Sequence, residues 1–149
     1  GSGGHTMLKA AAEAAADEAE RLSVIRPKLL AVTVLTSIDA DEWQKLGHTN
    51  SISQSVLTMA DTAKAAGMDG TVSSPHEAAE IRRLSGPDFL IVTPGIRPSF
   101  AQSNDQKRVT TPKEAVQNGA THLVIGRPIT KAADPQEAAR AIMEEIREV

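Results

Sequence analysis

Four short apolar runs alternate with segments of helical pattern along this chain, and that alternation restricts the fold more than any other feature. Residues 29–35 read Leu-Leu-Ala-Val-Thr-Val-Leu, bounded by Pro27 on one side and by Thr36 and Ser37 on the other. A short, near-continuous apolar run of this kind predicts a strand buried on both faces, as in parallel sheets. Residues 69–73, 89–93 and 122–125 predict three more strands. Helices are predicted over 6–22 with Thr6 as N-cap, over 39–46 ending at Gly47, and over 53–66 closed by Gly67. In the third of these, Val56, Met59, Ala60 and Ala63 recur at helical spacing. A further helix is predicted from Pro75 to Leu84 with Ser74 as N-cap. Another opens at Thr111-Pro112-Lys113-Glu114 and closes at Gly119. A last one starts at Asp134-Pro135 and runs close to Val149. One helix followed by four strand–helix units means a parallel sheet with right-handed crossovers. A small doubly wound sheet satisfies this pattern, and so does part of a (β/α)8 barrel, whose full form takes about 250 residues. At 149 residues, length alone favours the doubly wound sheet.

Composition removes several function classes. Sixteen Lys and Arg against nineteen Asp and Glu give a net charge of −3, the wrong sign for a nucleic-acid partner. With no Cys there is no disulfide scaffold, thiolate nucleophile or Cys-based zinc site; this is compatible with a cytoplasmic location. No apolar run approaches the roughly 18 residues of a membrane span, so no membrane partner is expected. Trp43, Phe89 and Phe100 are the whole aromatic complement, which leaves the core to aliphatic residues.

In both candidate architectures ligands bind beyond the C-terminal ends of the strands. The residues found there are Thr36 and Ser37, then Ser73 and Ser74, then Pro94-Gly95-Ile96-Arg97-Pro98, then Gly126-Arg127-Pro128-Ile129-Thr130. Arg forks onto phosphate oxygens, and Gly lets a ligand approach the backbone N–H. Arg97 and Arg127 can also be read as surface ion-pair residues. Two such arginines after consecutive strands, each followed by Pro and each close to a Gly, favour anion binding. Other groupings carry less. His5, His48, His76 and His122 are scattered without metal-ligand spacing, so no metal is expected. Ser37, Ser73 and Ser74 lack the G-x-S-x-G elbow of a serine hydrolase. Glu144, Glu145 and Glu148 read as a solvated helix face. The residues alone define an α/β binder of a phosphate ligand, its chemistry left open.

Residues 30–37 (Leu-Ala-Val-Thr-Val-Leu-Thr-Ser), 67–74 (Gly-Met-Asp-Gly-Thr-Val-Ser-Ser), 94–98, 105–108 (Asp-Gln-Lys-Arg) and 124–130 together resemble orotidine 5′-phosphate decarboxylases of the bacterial type. The likeness covers almost the whole chain. It implies strands five to eight of a (β/α)8 barrel, with residues 1–149 forming the C-terminal half, preceded by the fourth helix. It also implies roles. Thr36 would contact the edge of a pyrimidine ring and Pro94 would lie against the base. Arg97 would grip the phosphate. Gln106, on a mobile loop, would reach both phosphate and base. Gly126 would donate a backbone N–H to phosphate, and Arg127 would add charge. The ligand implied is orotidine or uridine 5′-phosphate, the reaction is loss of carbon dioxide from C6, no cofactor is used, and the usual assembly is a homodimer.

The chain departs from the pattern in one large respect. The family's Asp-x-Lys-x-x-Asp motif is nowhere in it, so no catalytic residue is expected here. Asp61-Thr62-Ala63-Lys64 has the wrong spacing. The chemical half of the barrel is expected outside this sequence, and no turnover is expected without it. A half barrel would expose two strand edges, which invites association. The alternatives are a related lyase acting on a sugar phosphate, or a non-catalytic half barrel that pairs with its own copy.

Overall fold

The computed structural model of the chain describes residues 1–100 and 110–147. Its elements are α1 (Gly4–Leu22), β1 (Leu30–Val32), α2 (Ala40–Lys45), α3 (Ile52–Ala65), β2 (Gly70–Val72), α4 (Ala78–Ser85), β3 (Leu90–Thr93), α5 (Pro112–Gln117), β4 (His122–Leu123), α6 (Arg127–Thr130) and α7 (Pro135–Arg147). The four strands form one parallel sheet in the order β1-β2-β3-β4. That order decides between the two architectures. A doubly wound sheet reverses its strand order at a switch point. Here the order never reverses, so right-handed crossovers carry every connecting helix to one face. This is the winding of a (β/α)8 barrel, and the doubly wound sheet favoured by length is excluded.

The register shows how the two faces differ. Ala31, Thr71 and Ile91 are aligned neighbours, 2%, 0% and 0% exposed. Ile91 joins Val56, Ala60, Ala78, Ile81 and Phe89 beneath α3 and α4. Ala31 meets Leu8, Ala63 and Ala66 where α1 packs on α3. The neighbouring layer, Val32, Val72, Val92 and His122, points to the opposite face, where Val32 is 48% exposed. This second face is the one a closed barrel turns inward. Gly70 is dictated by the sheet: a Cβ there would lie 2.2 Å from the carbonyl oxygen of Leu90.

Several expected boundaries shift for local reasons. A turn in which Gly4 N–H reaches Gly1 O starts α1 ahead of Thr6, so Thr6 lies inside the helix and caps nothing. Ser74 does not cap α4. Bonds from Glu77 N–H to Ser74 O and from Ala78 N–H to Pro75 O form a tighter turn first, and the helix begins at Ala78. Residues 127–130, expected as loop, wind into the single turn of α6. The strands are shorter than their apolar runs. Ladder bonds nevertheless continue past them, from Thr33 N–H to Val72 O, Ser73 N–H to Val92 O and Val124 N–H to Thr93 O. Asp39 caps α2 through Glu42 N–H, and the capping boxes Ser51/Gln54 and Thr111/Glu114 open α3 and α5.

Candidate phosphate and base site

The parallel sheet sends the ends of all four strands to one mouth, and the residues singled out by position collect there. Thr36 is buried, 7% exposed, in the segment after β1. It shares a cavity of about 240 Å3 with Pro94, after β3, and with Val32, Val34, Leu35, Ser37, Val72 and Ser73. The slot is narrow and largely apolar, with Thr36, Ser37 and Ser73 as the hydroxyl-bearing residues of its lining. A flat heteroaromatic ring with polar edges suits such a lining. The hydroxyl of Ser73 is buried and has no hydrogen-bond partner among the described residues.

Gly95, at φ +79°, turns the chain sharply after Pro94. Only Gly adopts that angle without strain, and the turn carries Ile96 and Arg97 back over the end of the sheet. Ile96 is fully buried against Ala115 and Ala120. Arg97 is 8% exposed, a buried side chain rather than a solvated one. Its Nη1 donates to Ile96 O at 2.8 Å, and its backbone N–H donates to Thr110 O at 2.9 Å. A buried guanidinium whose own backbone N–H is tied to Thr110 is a preorganised cation, the arrangement in which holding an anion would cost little ordering entropy.

At the next strand end, Gly126 stands as the N-cap of α6, and its carbonyl accepts from Ile129 and Thr130. Among the described residues, a Cβ added at Gly126 would meet nothing within 4 Å, so they leave the space over this ledge open. Arg127 is half-buried at the first position of α6. Gln106 lies outside the described residues. Thus Thr36 and Pro94 share one cavity, while Arg97 and the Gly126–Arg127 pair stand on the neighbouring strand ends.

Two features of the mouth escaped the residue-by-residue reading. One is a wider cleft of about 600 Å3 between α2, α3 and the turn before α4, lined by Asp39, Trp43, Asn50, His76 and Glu77 among others. Trp43 stacks on His48 with ring centroids 3.6 Å apart, and Ser53 Oγ donates to buried Glu77 at 3.0 Å. The other is the Glu114 carboxylate, which accepts from Thr111 N–H at 3.1 Å and from Thr110 Oγ1 at 2.8 Å. The backbone N–H of Thr111 and then the threonine hydroxyls hold its pKa below the usual carboxylate range, with a smaller contribution from the charge of His76. The predicted helix start at Thr111-Pro112-Lys113-Glu114 holds, but nothing in it announces the bond to Thr110.

Strand order and the common mouth of the strand ends define the class: half of a (β/α)8 barrel. The comparisons with known proteins agree. Residues 1–142 match the model of the orotidine 5′-phosphate decarboxylase / HUMPS family, and the chain belongs to that family. It is 52% identical over 144 residues to an orotidine 5′-phosphate decarboxylase of Trichlorobacter lovleyi, covering 97% of this chain and 59% of that protein. The corresponding protein of Rhodospirillum rubrum is 51% identical, with 97% and 58% covered. Among solved structures, orotidine 5′-phosphate decarboxylase from Lactobacillus acidophilus superposes with a TM-score of 0.76 at 38% identity, over 97% of this chain and 59% of that one. The chain therefore spans under two thirds of the length of these relatives.

Proposed function

We propose that this chain is the phosphate- and base-binding half of an orotidine 5′-phosphate decarboxylase, a step of pyrimidine nucleotide synthesis that yields uridine 5′-phosphate. The observation that carries the reading is the apolar slot shared by Thr36 and Pro94, with the buried guanidinium of Arg97 three residues beyond Pro94. In this reading Pro94 lies against the pyrimidine and the Thr36 hydroxyl meets its polar edge. Arg97, the Gly126 N–H and Arg127 hold the phosphate, and Gln106 bridges phosphate and base. The phosphate is remote from C6, so its binding energy serves to orient the ring and to favour closure rather than to break a bond. The acid–base array comes from the other half of the barrel, in keeping with relatives longer than this chain. The apolar face bearing Val32 and Val124 suits that partner. A homodimer in the cytoplasm belongs to the same reading, and among the described residues no helix is long and apolar enough to cross a membrane.

The test is titration calorimetry of the full-length protein with uridine 5′-phosphate, uridine and ribose 5-phosphate, together with an assay of carbon dioxide release from orotidine 5′-phosphate. Binding of uridine 5′-phosphate in preference to both fragments, with release of carbon dioxide, is expected. Equal affinity for ribose 5-phosphate would move the assignment to a lyase of sugar phosphates.

A further inference from the structure

We infer that Thr110 and Glu114 are positioning residues for the phosphate site, holding the backbone at Arg97 where its guanidinium meets the anion. The inference rests on the assignment of Arg97 to phosphate. Its basis is a short relay of hydrogen bonds. A single oxygen of Glu114, Oε2, accepts from Thr110 Oγ1 and from Thr111 N–H. Thr110 O in turn accepts from Arg97 N–H at 2.9 Å, and Ile96 and Thr110 form an isolated parallel bridge.

The capping box alone needs only the Thr111 half of this arrangement. Glu114 returns to the Thr111 N–H while Thr111 Oγ1 accepts from Glu114 N–H at 3.2 Å, and that completes the cap. The bond from Thr110 Oγ1 is additional. It points the peptide of Thr110 at Arg97, and the carboxylate that makes it is ionised at neutral pH, where it is the stronger acceptor. Ala115, the next residue of α5, packs on fully buried Ile96. The first turn of α5 thus grips the Ile96–Arg97 segment from the backbone side and from the side-chain side. A displacement of the order of 1 Å at a charge clamp costs much of its effect, so this second layer bears on ligand affinity.

Thr110→Val removes the hydroxyl, keeps the β-branched shape and leaves the cap intact. Glu114→Ala removes both bonds, and Glu114→Gln keeps an acceptor of the same reach. In the full-length protein, Thr110→Val and Glu114→Ala are expected to weaken uridine 5′-phosphate about tenfold, the size of one lost charge-assisted bond. Glu114→Gln should recover part of that loss, and the affinity for phosphate-free uridine should stay within about twofold of the unmodified protein's. A purely structural role would instead lower the unfolding midpoint and weaken both ligands alike, which overturns the inference. Loss of nucleotide binding in Arg97→Ala with unchanged affinity in Thr110→Val overturns it too, while the phosphate assignment survives. If the unmodified protein does not bind uridine 5′-phosphate, both fall together.

Discussion

The two ends of the sheet use their arginines in opposite ways. At the N-terminal end, Arg82 donates to the carbonyls of Gly86, Pro87, Phe89 and Gly119, just before β3 and β4 begin. Arg26 donates to Asp69 at 2.8 Å and to Gly67 O. Asp69 also accepts from Lys28 and from Leu29 N–H, where β1 and β2 start. These charges tie strand beginnings together and are absorbed by the protein. At the C-terminal end, Arg97 lies beyond a Gly95 turn and Arg127 beyond Gly126, next to an apolar slot and an open ledge. One end of the barrel fixes the strands so that the other end can hold a shape suited to a ligand. Stability and function are separated by about the length of a strand, as in barrels generally.

Substitutions at the two ends should therefore fail differently. Arg97→Ala is expected to weaken uridine 5′-phosphate about a hundredfold, or about 2.7 kcal/mol. Its urea midpoint should fall less than that of Arg82→Ala, since the backbone bond to Thr110 survives and, among the described residues, the side-chain bond lost is a single one to Ile96 O. A large stability loss with intact binding would reverse the assignment of the two ends. Arg82→Ala should do the opposite. Several carbonyls lose a charged donor at once, for a cost of about 2 kcal/mol in unfolding free energy. Nucleotide affinity of the folded protein should stay the same, read by calorimetry below the unfolding transition.

The smallest effect is expected at Asp69. Burial raises its pKa, but the Leu29 N–H together with Lys28 and Arg26 outweighs this and leaves it below the ordinary aspartate value of about 3.9. A depressed carboxylate pKa stabilises the fold at pH above the unfolded value, and that contribution disappears as pH falls through the folded value. Unfolding free energy should thus decline on acidification below about pH 4, and Asp69→Asn should flatten this limb by about 1 kcal/mol. An unchanged acid limb in Asp69→Asn would mean that other carboxylates set it.

Much of the frame was legible in the chain because local physics set it. The apolar runs named all four strands, and α3 buries Val56, Ala60 and Ala63 as its spacing predicted. Asp39 and Thr111, which head two of the predicted helices, cap them because short oxygen side chains satisfy N–H groups left over at helix starts, whereas Ser51, the cap of α3, lies ahead of the start predicted at Ser53. Thr36, Pro94, Arg97, Gly126 and Arg127 were found by their place after strands. The structure adds that Thr36 and Pro94 share a cavity and that Arg97 is buried. Ser74 misled, because a hydroxyl before Pro looks the same whether a helix or a tighter turn follows.

What the sequence determined by itself was the alternation of elements, most helix starts and the residue types at each strand end. Each depends on neighbours within a few positions. Only the tertiary structure decided the strand order, and with it barrel winding over a doubly wound sheet, because order is set by which strands pair across 20 to 40 residues. The clamp on Arg97 was decided at the same level. It requires Thr110 to return beside Ile96, and that contact exists only after α5 has packed its first turn against the end of the sheet.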